Sequence, residues 1–142
     1  MRHLRGERGS SSLELVVLTP ALILIVGVLI FAARVALANQ AVQSAAYDTA
    51  RAASLARDAG SARHDATAAG AASMAEHNLH CVTTKVEVDT SGFARPVGTP
   101  AKVTATVTCV ANLSDISLPF IPGSRSIHAQ AVSPLDTYRD RQ

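Results

Sequence analysis

Hydrophobic positions change their spacing along this chain, and each change predicts a different element. From Leu15 to Ala33 the sequence reads LVVLTPALILIVGVLIFAA, without a charge. As a helix, Leu13 to Ala33 spans roughly 31 Å, close to the ~30 Å hydrocarbon core of a bilayer. A transmembrane helix is therefore expected over residues 13–33. Thr19, Pro20 and Gly27 interrupt the run. Pro and Gly are tolerated within bilayers, so Pro20 predicts a kink or loosened turn rather than a break.

Beyond the span, residues 34–59 lack Gly and Pro and are rich in Ala. Val35, Ala38, Val42, Ala45, Thr49, Ala52 and Ala56 recur in steps of three and four, which predicts a helical extension with a small-residue stripe. Such a stripe permits close approach, either of another helix or of the protein's own sheet. Arg34, Gln40, Asp48, Arg51 and Arg57 would face solvent. Gly60 reads as a helix stop and Ser61 as the N-cap of a second, short helix over 62–78, with Gly70 weakening its middle.

The period then drops to two. Val82, Thr84, Val86 and Val88 alternate with Thr83, Lys85, Glu87 and Asp89. Val103, Ala105, Val107 and Cys109 alternate with threonines, and Ile127, Ala129 and Ala131 with His128 and Gln130. Ser91-Gly92 with Pro96 to Pro100, and Pro119, Pro122 and Gly123, separate the runs. The expected fold class is α+β: a long N-terminal transmembrane and stalk helix, a second short helix, and a small antiparallel β-sheet of about three strands. The domain would occupy residues 61–136, with 137–142 a charged, frayed tail.

Composition narrows the chemistry. In 142 residues, aromatics make up 4% and Trp is absent, so packing rests on Ala, Val, Leu and Ile. The net charge is only +2, and neither a basic stripe nor stacking aromatics marks a nucleic-acid face. No nucleophile elbow, phosphate loop, dinucleotide glycine pattern or His-Glu-x-x-His occurs, so no enzyme, cofactor or small-molecule substrate is expected.

Charge also gives a direction. Arg2, Arg5 and Arg8 precede the span, and Arg34 stands alone after it until Arg51. Positive charge favours the cytoplasmic side, which predicts a single-pass protein with a cytoplasmic N-terminus and an extracytoplasmic C-terminal domain. A secretory signal cut after Ala36-Leu37-Ala38, leaving Asn39 first, is the competing expectation. The apolar run is longer than the usual core of such a signal and ends in Arg34. Outside the cytoplasm Cys81 and Cys109 are expected to pair, provided the hairpin register is offset. The loop closed would contribute about 3–4 kcal/mol. His77 and His80 beside Cys81 invite a metal reading, but a disulfide removes both thiolates, and no metal site is expected.

Glu14 stands at the start of the apolar run. One use is to mark the membrane edge, where a carboxylate suits a helix N-terminus. The other is to meet a cation from a different molecule, since no Lys or Arg of this chain lies at that depth.

The run Arg8-Gly9-Ser10-Ser11-Ser12-Leu13-Glu14 ahead of an apolar helix resembles a type IV prepilin N-terminus. Counted from Ser10, Glu14 is the fifth residue, and Gly9 with Glu14 is the matching pair. With Pro20, Asn39-Gln40-Ala41 and the stretch Ala45 to Arg51, the first fifty residues resemble the TadE-like pseudopilins of the tight-adherence (Tad/Flp pilus) secretion system. Thr49 replaces the Gly of that family's Gly-Ala-Arg-like element, and Leu15 its frequent Phe. The resemblance implies a leader over residues 1–9, cut by a prepilin-type peptidase between Gly9 and Ser10. It further implies pairing of Glu14 with the Ser10 amine of a neighbouring subunit, and partners among pilin-like subunits and pilus assembly proteins. The expected role is a pilin-like structural component of a pilus assembly, secretion and adhesion machine. The alternative is a membrane-anchored extracytoplasmic binding module outside any filament.

Overall fold

The computed structural model describes residues 10–112, 123–138 and 140, with side chains from Leu15 onward. Helix α1 covers Ser10–Leu55, helix α2 Ala59–Glu76, and strands β1, β2 and β3 cover Cys81–Asp89, Ala101–Asn112 and Ser124–Leu135. The chain divides into two units, residues 1–34 and 35–142. The expected α+β class holds, with two helices and a three-stranded antiparallel sheet in the order β1-β2-β3. The expected leader, the tail residues Arg139, Arg141 and Gln142, and the Pro119 and Pro122 break lie outside the described residues.

The first unit carries the apolar part of α1. Leu15, Val16, Val17, Leu22 and Ile23 are all more than 60% exposed among the described residues. The helix continues through Pro20, and Thr19 donates its hydroxyl to the Leu15 carbonyl at 2.6 Å.

In the second unit the helical extension stops at Leu55 rather than at 59. The turn is made by Asp58, not by Gly60 and Ser61 as expected. Asp58 adopts an extended backbone, and its carboxylate accepts the Gly60 and Ser61 N–H groups at 2.8 and 2.9 Å. The Ser61 hydroxyl adds a 2.7 Å bond to the same carboxylate. A side-chain acceptor for orphan N–H groups starts a helix more effectively than the Ser61 hydroxyl can three residues later, so Gly60 lies in the first turn of α2. At the other end Asn78 takes φ +50, its N–H reaches the Ala75 carbonyl, and the Leu79 N–H reaches Met74. This is a left-handed helix stop with Asn in the glycine position, and Leu79 folds back against the core.

The extension buries Ala38, Ala41, Val42, Ala45, Ala46, Thr49, Ala50 and Ala53. Most of the expected stripe is there, but Val35, Ala52 and Ala56 are only half-buried and Ala53 is buried instead. A stripe spaced at 3.5 residues drifts around a helix of 3.6, so its ends rotate off the contact. Ala38, Val42, Ala45 and Ala46 pack with Met74 of α2 and with Ala105, Val107, Cys109, Ile127 and Ala129 of the sheet. A second cluster joins Ala53, Ala62 and Ala66 to Phe93, Val103 and Leu135.

Central strand β2 matches its pattern: Val103, Ala105, Val107, Cys109 and Ala111 are buried, and the threonines between them are half-exposed. Strand β3 is longer than expected and carries Pro134 opposite Lys102, tolerated because β3 is an edge strand. Strand β1 departs from its expected alternation. Val82 is 66% exposed and Thr84 is exposed, leaving Val86 and Val88 half-buried. A register shift between Cys81 and Thr83 inserts Val82 as an extra residue.

Candidate functional site

The residues singled out for function fall on α1 and on the β1–β2 hairpin. Ser10 and Glu14 lie within α1, four positions apart, while Gly9 and the side chains of Ser10 and Glu14 lie outside what is described. The structure therefore leaves the processing and pairing roles as expectations. Pro20 sits inside the helix, within an exposed stretch that is apolar apart from Thr19. Residues from Leu15 include a window of mean hydropathy 2.9 with no part buried, long and apolar enough to cross a membrane.

Cys81 and Cys109 form a disulfide with their Cα atoms 5.5 Å apart. They are not direct partners, since Cys81 faces Ala111 and Cys109 faces Thr84. The bulge makes the bridge possible. Thr84 is three positions from Cys81 but Ala111 is only two from Cys109, so the extra residue, Val82, returns Cys81 to the inner face. In a regular strand, alternation would send Cys81 to the opposite face from Cys109.

At the far end of the hairpin, Asp89 accepts the Ser91 N–H at 2.9 Å, and that bond, helped by the Ser91 hydroxyl, holds its pKa below the ordinary aspartate value. Buried Thr90 accepts a 2.9 Å bond from Arg63 of α2. Gly92 lies against the Lys102 backbone carbonyl, where no side chain fits. The Gly98 N–H donates to the Thr137 carbonyl at 2.8 Å, so Thr137, expected in a frayed tail, is held against this loop. Two shallow, open depressions flank this loop, one along Arg95 and Lys102, the other along Arg63 and Phe93. Neither is enclosed. Among the described residues, no three His, Cys, Asp or Glu side chains converge as metal ligands.

Two features escaped the sequence reading. Gly70, taken there only as a weak point, is buried, and a Cβ on it would stand 2.5 Å from the Thr49 hydroxyl. The outward face of α1 also keeps three large side chains in solvent: Leu37, Tyr47 and Leu55 are 60–64% exposed.

These features define a class: a disulfide-pinned α+β domain carried on a helix whose N-terminal part is exposed and apolar. Residues 9–51 match the family model described as TadE-like protein. The match covers α1 almost to its end and stops before α2 and the sheet. No curated protein and no solved structure matches the chain.

Proposed function

We propose that this protein is a pilin-like structural component of a Tad/Flp-type pilus assembly and secretion machine, with no catalytic role of its own. The observation that carries this reading is the coincidence of the TadE-like match with a long apolar helix exposed among the described residues. Side chains as apolar as Leu15 to Ile30 require lipid or another helix around them. In a pilus machine the helix is held first by the membrane and then by neighbouring subunits.

Orientation follows from charge and redox chemistry. Arg2, Arg5 and Arg8 favour a cytoplasmic N-terminus. A disulfide on the other side of the span suits an oxidising compartment. Cleavage after Gly9 by a prepilin-type peptidase would create the amine that Glu14 otherwise lacks, and at the membrane edge that attraction is stronger than in water. Photo-crosslinkers at Leu18 and Leu29, in cells carrying the pilus machinery, are expected to yield adducts with pilin-like subunits. Adducts confined to lipid would contradict the proposal and favour a solitary membrane-anchored binding module.

A further inference from the structure

Strand pairing and helix packing fix which end of the sheet lies at which end of the helical extension. Near the C-terminus of α1, Ser54 accepts a 2.9 Å bond from the Ser133 hydroxyl, and Ala53 clusters with Val103 and Leu135. Toward the other end of the extension, Ala38 and Val42 belong to the cluster that holds Ala111 and Ile127. Val103 pairs with Ser133, and Asn112 with Ser124. Strand β2 therefore runs toward the Val35 end of the domain, and β3 runs away from it. Strand β1 starts at that same end, where Cys81 faces Ala111. Val35 is the first residue of the domain and follows the apolar span directly. The sheet end marked by Cys81, Asn112 and Ser124 is thus the end nearest the span.

This end is apolar in character. Val82, the bulge residue, is 66% exposed beside Cys81. Residues 113–122 join β2 to β3 from here, and 116–122 read Ile-Ser-Leu-Pro-Phe-Ile-Pro, with no charge before Arg125. The carboxylates of Asp58, Asp89 and Asp136 belong to the opposite end, at the α1–α2 turn and beside Ser91 and Leu135. Distances agree with the placement. From Ser54 back to Val35 the helix rises about 28 Å, and from Val103 to Asn112 the strand covers about 30 Å. Even a crossing of about 45° leaves the strand ends only roughly 7 Å short of Val35, comparable to the headgroup layer, which adds roughly 5–7 Å beyond the hydrocarbon.

We propose that this end of the domain docks on the outer surface of the bilayer that holds its own span, with lipid headgroups as its partner. The proposal rests on the membrane role given to α1 above. Withdrawal of apolar side chains from water drives the contact, and the carboxylates at the far end stay in solvent. A subunit waiting in the membrane is then held at two places, by its span and by its sheet end, with the β1–β2 loop turned away from the lipid.

The chain has no Trp, so single-Trp variants of the full chain in phosphatidylcholine vesicles report one position each. Ser124→Trp probes the docked end, and Val97→Trp, 51% exposed between β1 and β2, probes the far end. With a nitroxide on the lipid headgroup, Ser124→Trp is expected to be quenched roughly three-fold more than Val97→Trp. Val82→Trp, an apolar replacement at the same end as Ser124, should repeat the result and guards against misfolding of one variant. Equal quenching at both ends, or weaker quenching at Ser124 and Val82, would overturn the proposal. Leu29→Trp with a nitroxide on the acyl chain separates the two levels of the argument. Quenching at Leu29 without quenching at Ser124 and Val82 removes only the docking, whereas none at Leu29 removes the membrane span and the docking with it.

Discussion

The hydroxyl of Thr49 in α1 occupies the place that a methyl group on Gly70 of α2 would need, 2.5 Å away. The same hydroxyl donates to the Ala45 carbonyl at 2.6 Å, which fixes its rotamer and prevents it from yielding. The two helices therefore pack through a polar bump set into a glycine notch.

Gly70→Ala is expected to destabilise the domain by about 1–3 kcal/mol through overpacking, despite the better helix propensity of Ala. Thr49→Ala removes the bump and should relieve most of that loss in the double variant. Thermal unfolding of the four proteins as a double-mutant cycle measures the coupling. Additive effects would contradict the contact.

Gly92 poses a stricter version of the same constraint. A Cβ there would run into the Lys102 carbonyl and approach Leu135 Cδ1 at 3.1 Å. Backbone cannot step aside as a side chain can, so Gly92→Ala is expected to cost at least as much as Gly70→Ala, about 1–3 kcal/mol or more. An unchanged melting temperature would show that the loop relaxes freely.

Replacing Cys81 and Cys109 together by Ser is expected to lower stability by about 3–4 kcal/mol, as is reduction of the parent protein. Deleting residues of β1 provides the sharper check. Removing Val82 alone takes away the bulge yet leaves Cys81 opposite Ala111 on the face of Cys109, so the bridge should survive. Removing Val82 and Thr83 together turns Cys81 to the other face, and thiol counting under denaturing conditions should then find both cysteines free. Complete disulfide formation in the double deletion would contradict this reading of the register.

Asp58 makes α2 sensitive to acid. Its pKa is lowered chiefly by the Ser61 N–H, then by the Ser61 hydroxyl and the Gly60 N–H. A carboxyl group with a depressed folded pKa gives stability that is complete above the ordinary aspartate range and is lost as pH falls through the folded value. Unfolding midpoints of the parent should therefore fall on acidification below about pH 4. Asp58→Asn keeps an acceptor at the cap and should match the parent near neutrality with a shallower acid decline. Asp58→Ala should be weaker at both pH values. Parallel acid profiles for the parent and Asp58→Asn would contradict this role.

Much of this fold is legible in the residues themselves, because the long elements repeat one signal many times. Nineteen-residue-scale apolarity from Leu15 and the strict alternation from Val103 to Cys109 each have a single reading. The features that were missed depend on one residue acting across the structure. Asp58 and Ser61 are both cap residues by type, and only the backbone geometry shows that the aspartate acts first. The bulge at Val82 left no pattern of its own, since Val82 to Val88 alternates acceptably without it. Its one trace was the pair Cys81 and Cys109, whose parity does not suit a regular hairpin. Gly70 reads as a weakness in isolation and becomes a packing requirement only opposite Thr49. The site was legible in the same uneven way. Glu14 and Pro20 stand out from an apolar run, whereas the exposure of Leu37, Tyr47 and Leu55 emerges only once the sheet has claimed the other face of α1.

In the proposed role, α1 is kept as a membrane segment whose first residue is exposed by a prepilin-type cut. Intact mass of the protein extracted from membranes measures this directly. The expected product begins at Ser10, remains in the membrane fraction and retains its disulfide. A soluble product beginning at Asn39, or a membrane form still carrying residues 1–9, would contradict it.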